Sequence, residues 1–127
     1  MPCQTYIADM KLRVEQEDAF YYPDVMVSCD KNDQKAEQYL SSPILIVEVL
    51  SDSTEAYDRG AKFAAYRHLA SLKEYVIVDI ANRRLDCFRR ADNNDWLLHV
   101  VDAQENCEFV SLEVSVAMAE IFEDVAV

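Results

Sequence analysis

Glycine is almost missing from this chain. Gly60 is the only one in 127 residues, and no linker, low-complexity tract or internal repeat is visible. Long apolar runs are missing too. None approaches the roughly 20 residues of a membrane-crossing helix, and no charged-then-apolar leader opens the chain, so the expectation is a soluble cytoplasmic protein with no membrane partner. Positive charge is scarce: 12 Lys and Arg face 24 Asp and Glu, a formal net charge of −12. This weighs against a nucleic-acid partner, whose phosphates demand cations, while it favours solubility and permits divalent-cation binding. Histidine is limited to His68 and His99, and Cys3, Cys29, Cys87 and Cys107 are far apart with no CxxC pair. A zinc site would need closer ligand pairs. The histidines read as ordinary strand or helix residues, and the cysteines as four reduced thiols partly in the core.

Hydrophobic side chains are plentiful. At 51% of residues they argue against disorder, and the length suffices for one compact domain. Thr5 to Val14 alternates, with Tyr6, Ala8, Met10, Leu12 and Val14 on one face, which predicts a half-buried strand. Tyr21 to Cys29 predicts a second, with Pro23 near its start, where a missing amide donor is tolerated. Asp30 to Ser42 reads as a polar loop with at most a helical turn. Ile44 to Leu50 predicts a third strand, apolar on both faces and therefore central. Asp52 and Glu55 resemble a capping box opening a helix from about Ser53 to Leu69. Glu74 to Ile80 predicts a fourth strand, parallel to the third through a βαβ crossover. Arg83 to Arg90 and Trp96 to Val101 read as a hairpin around "ADNND", its arginines as a solvated edge that discourages strand pairing. A short helix from Ser115 to about Glu123 closes the chain. The class is α/β: a mixed central sheet, its first three strands an antiparallel meander, with a long helix in a β-β-β-α-β core.

One residue breaks the pattern. In "PILIVEVLSDST", residues 43 to 54, seven of the eight residues from Pro43 to Leu50 are apolar and the exception is Glu48. Strand side chains alternate faces, so Ile44, Ile46, Glu48 and Leu50 share one face, as do Tyr22, Asp24, Met26 and Ser28. Neighbouring strands with coincident faces would bring Asp24 and Glu48 together. An unpaired buried carboxylate costs several kcal/mol, about the desolvation penalty of one ion. The pair is therefore protonated, paired with a cation, or holding a metal. Oxygen-only ligands suit Mg²⁺ or Mn²⁺ rather than zinc. Asp58, Lys62 and Tyr66, four apart on the predicted helix, form one stripe, and the long stem of Lys62 reaches back towards the acids.

"YYPDVMV", "PILIVEVLSDST", "YDRGAKFAAY" and "EYVIVD" follow one another as they do in the Uma-two family of bacterial restriction endonucleases (domain of unknown function 820), within the PD-(D/E)XK nuclease superfamily. The chain resembles that family most over Tyr6 to Asp79. The resemblance implies a single restriction-endonuclease-like domain over residues 1–127. It implies a metal-dependent DNA endonuclease using Mg²⁺ or Mn²⁺, with Asp24, Glu48 and Lys62 catalytic. Asp24, Glu48 and the backbone carbonyl of Val49 would be the metal ligands, with Asp58 and Tyr66 in support. Two departures stand out. The lysine that normally sits two residues after the acid is replaced by Leu50, and Lys62 matches the place to which it migrates in variant members. Longer members also carry an upstream helix and strand pair with a further glutamate, so the resemblance implies a homo-oligomer or a separate chain to fill that gap. The alternatives are a catalytically inactive remnant or interaction module on the nuclease scaffold, and a small acidic metal-binding protein.

Overall fold

The computed structural model describes residues 3–7, 10–36 and 38–122. In chain order the elements are β1 (Gln4–Ile7), β2 (Lys11–Val14), β3 (Ala19–Tyr21), β4 (Val25–Ser28), α1 (Lys31–Lys35), β5 (Tyr39–Leu40), β6 (Leu45–Val49) and α2 (Glu55–Arg59). There follow α3 (Ala61–Tyr66), β7 (Glu74–Asp79), β8 (Arg84–Arg90), β9 (Trp96–Val101), β10 (Asn106–Phe109), β11 (Val114–Ala117) and α4 (Met118–Ile121). A six-stranded sheet has the order β1-β4-β6-β7-β8-β9. Only β6 and β7 are parallel; the other neighbours are antiparallel. The expected mixed sheet and βαβ crossover are present, and β1, β4 and β6 form the antiparallel meander.

The long alternating segments are each broken in two. The Met10 N–H donates to the Ile7 carbonyl, and β2 leaves the main sheet to pair with β3 and β5 in a small three-stranded sheet. Alternation persists from β1 to β2 because it records burial, not pairing. Tyr6, Met10, Leu12 and Val14 all reach the same core cluster; Ala8 lies outside the described residues. In the second segment β3 and β4 are separated around the buried Pro23, which has no amide to donate. The polar stretch after Cys29 holds a short helix whose N-cap, Asp30, accepts from the amides of Asn32 and Asp33.

The single long helix is also two pieces. The chain bends at Gly60, where a Cβ would meet the Ala56 carbonyl oxygen at 3.0 Å. The expected capping box does not form either: α2 begins after Thr54, and Asp52 lies in the preceding turn. At the other end of the chain, Ser115 to Ala117 is strand, not helix. It belongs to the antiparallel pair β10–β11, and helix is confined to Met118–Ile121; Glu123 lies outside the described residues.

β7 separates two cores. Tyr75 and Ile77 face α3 and the small sheet, together with Leu12, Met26, Ile46, Phe63 and Tyr66. Val76 faces the other way, with Val27, Leu45, Leu85, Cys87, Cys107 and Met118 under the C-terminal elements. Ile44, expected on the Glu48 face, packs against this second core, because the strand begins only at Leu45. The arginines of β8 are not a solvated edge. β8 is an interior strand; Arg84 pairs with Asp79 and Asp86, Arg89 with Glu74, and Arg90 donates to the carbonyls of Arg67 and Leu69. Nor are all four cysteines reduced. The β1–β4 register sets Gln4 opposite Ser28, which brings Cys3 beside Cys29, and these two form a disulfide. Cys87 and Cys107 are free and buried, while both histidines are exposed, His99 on β9 and His68 in the turn after α3.

Candidate functional site

The β4–β6 register pairs Val25 with Val47, and one further step aligns Asp24 with Glu48. Each acid is bonded by the backbone of the other's strand. The Asp24 N–H donates to Glu48 Oε1 at 3.2 Å, and the Val49 N–H donates to Asp24 Oδ2 at 2.7 Å. This clasp forms where β4 has ended and no ladder bond is left to make, so the acids satisfy amides that would otherwise be unpaired.

The helices bring the cation. Lys62, in the first turn of α3, places Nζ 3.0 Å from Glu48 Oε2 and 3.1 Å from Asp58 Oδ1. The second contact is an ion pair that lacks hydrogen-bond alignment. One turn on, the Tyr66 hydroxyl donates to Glu48 Oε2 at 2.8 Å. The stripe of Asp58, Lys62 and Tyr66 therefore survives the bend at Gly60. Asp58 is held from three sides. The Thr54 hydroxyl donates to its Oδ2 at 3.0 Å, the Tyr75 hydroxyl donates to its backbone carbonyl at 2.9 Å, and Lys62 faces Oδ1. The Tyr57 ring lies 5.2 Å from Lys62 Nζ, within cation–π range.

Asp24, Glu48 and Lys62, expected to gather, do so. Val49 enters the cluster through its amide, and its side chain is exposed. Asp58 and Tyr66 also join. Thr54, Tyr57 and Tyr75 were not singled out from sequence. The four-residue step from Thr54 to Asp58 was a usable sign of the first of these; nothing local marked Tyr75, which arrives from β7.

Burial sets the electrostatics. Glu48 is 2% exposed and Asp58 1%. Desolvation pushes the Glu48 carboxyl above its ordinary value, against the opposing pull of Lys62, Tyr66 and the Asp24 amide. Lys62 is desolvated too, which alone would lower its pKa, but Glu48 and Asp58 outweigh that and raise it. It is therefore a fixed ammonium, not a base. Burial and then Glu48 drive the Tyr66 phenol far upward, so it stays a donor.

Three carboxylates, Asp24, Glu48 and Asp58, share this neighbourhood with one ammonium, Lys62. The donor atoms are all oxygen, and the excess negative charge fits a hard divalent cation. Asp24 is half-buried and its Oδ1 has no hydrogen-bond partner among the described residues, while Glu48 Oε1 accepts only one. These two oxygens, with the Val49 carbonyl, are the donors that would hold it. Among the described residues no group of three or more His, Cys, Asp and Glu is placed to hold a metal ion by side chains alone, so solvent or a ligand would complete the shell.

The profile of the Uma2 family, described as "Putative restriction endonuclease", matches residues 1–119. The chain is 37% identical over 124 residues to uncharacterized protein slr1290 of Synechocystis sp., covering 98% of this chain and 65% of the relative. It is 32% identical over 97 residues to uncharacterized protein sll1609 of the same organism, covering 75% of this chain and 55% of that one. The chain thus spans somewhat over half the length of these curated relatives. Its structure resembles the crystal structure of a "putative nuclease belonging to DUF820" from Anabaena variabilis, with a TM-score of 0.72 over 94% of this chain and 68% of that one. Sequence identity there is 14%, so the likeness speaks for the fold: a restriction-endonuclease-like α/β domain.

Proposed function

This chain belongs to the Uma2 family of restriction-endonuclease-like proteins, and from that premise we propose that it hydrolyses phosphodiester bonds in DNA with the help of Mg²⁺ or Mn²⁺. The observation that carries the reading is the contact of Lys62 Nζ with Glu48 Oε2 at 3.0 Å, on an acid whose other oxygen is bonded to Asp24. It unites the two acids and the amine of the nuclease pattern, although the amine comes from the helix and not from the strand.

In this reading Asp24, Glu48 and the Val49 carbonyl would hold the cation, whose chemistry there would be to polarise the phosphate and acidify a water. Lys62, kept charged by Glu48 and Asp58, orients the attacking water and offsets charge developing on the phosphate. Tyr66 fixes the Glu48 carboxylate by its hydroxyl, and Asp58 holds Lys62 in place.

One observation favours a second reading, a non-catalytic scaffold. Lys62 already pairs with Glu48 and needs no added cation to do so, and the chain's charge of −12 opposes DNA. Titration calorimetry with Mn²⁺ and nicking of supercoiled plasmid with Mg²⁺ separate the two. Wild type should give binding heat that Asp24→Asn abolishes, and nicking that Lys62→Ala reduces about 100-fold or more, the usual worth of one electrostatic stabiliser. No heat from wild type removes the metal, and equal nicking by wild type and Lys62→Ala removes the nuclease.

A further inference from the structure

We propose that the outer face of the small sheet β3-β2-β5 is a stacking platform for a single-stranded stretch of DNA. The proposal rests on the reading of the acid cluster as a DNA-cutting site and adds the form of DNA it takes. Leu12, Val14, Tyr21 and Leu40 of this sheet turn inward to the core. The residues that alternate with them turn outward: Lys11 and Arg13 on β2, Phe20 on β3 and Tyr39 on β5. The register sets Arg13 opposite Phe20 and Lys11 opposite Tyr39. One further step of the β2–β3 pairing sets Tyr22 on the other side of Lys11. Within the three strands every outward position is therefore a cation or an aromatic ring.

The rings are open to solvent: Phe20 is 49% exposed and Tyr22 52%. Phe20 is the hub. The Tyr39 ring lies 5.6 Å from it, Lys11 Nζ stands 5.6 Å from its centroid and the Arg13 guanidinium carbon 5.9 Å. In a chain of net charge −12, a face with two cations and no acid reverses the general field. The acids nearest in sequence, Glu15, Glu17 and Asp18, lie in the turn that joins β2 to β3. Asp18 pairs with Arg13 at 3.1 Å but is 92% exposed, so that bond yields easily to a competing anion.

These features select the occupant. Phosphate and base alternate along a single strand, as cation and ring alternate on this face. A ring stacks on any unpaired base, at roughly tenfold in affinity or more for each stack, while Lys11 and Arg13 meet phosphates. A duplex keeps its base faces hidden and its phosphates denser, so it brings the repulsion of an acidic chain without the stacking. An acidic peptide would use the cations and leave the rings idle. The platform is also continuous with the cluster. Asp24 stands two residues beyond Tyr22, about 7 Å of extended chain at most, so a strand lying on the rings leads to the acids.

Fluorescence anisotropy of labelled oligo(dT) of about 12 nucleotides, within the usual range for a stacking groove, tests this in low salt with EDTA. Wild type should bind it at least tenfold more tightly than a duplex of equal length. Phe20→Leu and Tyr22→Leu, at half-exposed positions, should each weaken binding about tenfold with unchanged circular dichroism, and Phe20→Tyr should bind like wild type. Unlabelled oligo(dT) should displace the probe, and poly-glutamate should not. Five results overturn the proposal: no binding of oligo(dT), a duplex bound as tightly, both leucine variants binding like wild type, displacement by poly-glutamate as readily as by oligo(dT), or tighter binding of oligo(rU). The assay contains no free divalent ion, so the two readings fail separately. Plasmid nicking without oligo(dT) binding removes the platform alone, and oligo(dT) binding without nicking removes the nuclease alone.

Discussion

Glu48 and Glu74 sit on adjacent parallel strands, both almost fully buried, on opposite faces of the sheet. Glu74 accepts from the amides of Val110 and Ser111, from the Ser111 hydroxyl and from Arg89. Two of these four donors are backbone amides of the turn between β10 and β11, and a third is the Ser111 hydroxyl of the same turn. Glu48 takes its bonds from Lys62, Tyr66 and the Asp24 amide, with two further carboxylates close by. Glu74 fastens the C-terminal hairpin to the sheet, whereas Glu48 anchors a charged cluster with acid to spare. A buried acid in a strand therefore says little by itself; the company it keeps decides its role.

The contrast is testable by substitution. Lys62→Met should have the largest effect, stranding Glu48 and Asp58 together, at a cost of about 3–5 kcal/mol for a broken buried pair, read from urea unfolding. Glu74→Ala should cost about 2–3 kcal/mol by leaving buried donors unmatched, with Mn²⁺ heat and plasmid nicking unchanged. If Glu74→Ala abolished the heat, the division of labour between the two glutamates would be wrong. Tyr66→Phe removes one hydrogen bond to a charged group, worth about 1.5 kcal/mol, and should lower nicking about tenfold while the protein stays folded.

The smallest effect concerns Asp79, whose pKa moves opposite to that of Glu48. Hydrogen bonds from Asn82 and the nearby Arg84 hold it below the usual Asp value. A depressed carboxylate contributes stability above its unfolded pKa, about 3.9, and loses it as pH falls through the lower folded value. Asp79→Asn should therefore be less stable than wild type at neutral pH and match it at the acid end of a urea series. A constant gap at every pH would break this assignment.

Much of the Glu48 site was legible because its signals are local or periodic. One acid interrupts an apolar run, and Asp58, Lys62 and Tyr66 recur every four residues even though Gly60 bends the helix between them. Strand parity put Asp24 and Glu48 on matching faces. Glu74 was illegible, since its partners come from Val110 and Ser111 on a hairpin whose own alternation, at Cys107, Phe109, Val114 and Val116, went unread. The Cys3–Cys29 bridge was missed because nothing local pairs cysteines 26 residues apart; the β1–β4 register does. The departure of β2 from the main sheet was hidden because both sheets bury their residues in one core.

The clasp between β4 and β6 gives the molecule a built-in reporter. Among the described residues the Val49 amide is satisfied by Asp24 Oδ2 alone, so anything that draws that oxygen away exposes a proton to exchange. Deuterium uptake at this single position would register a swing of the Asp24 carboxylate away from β6 with no label, no chromophore and no turnover.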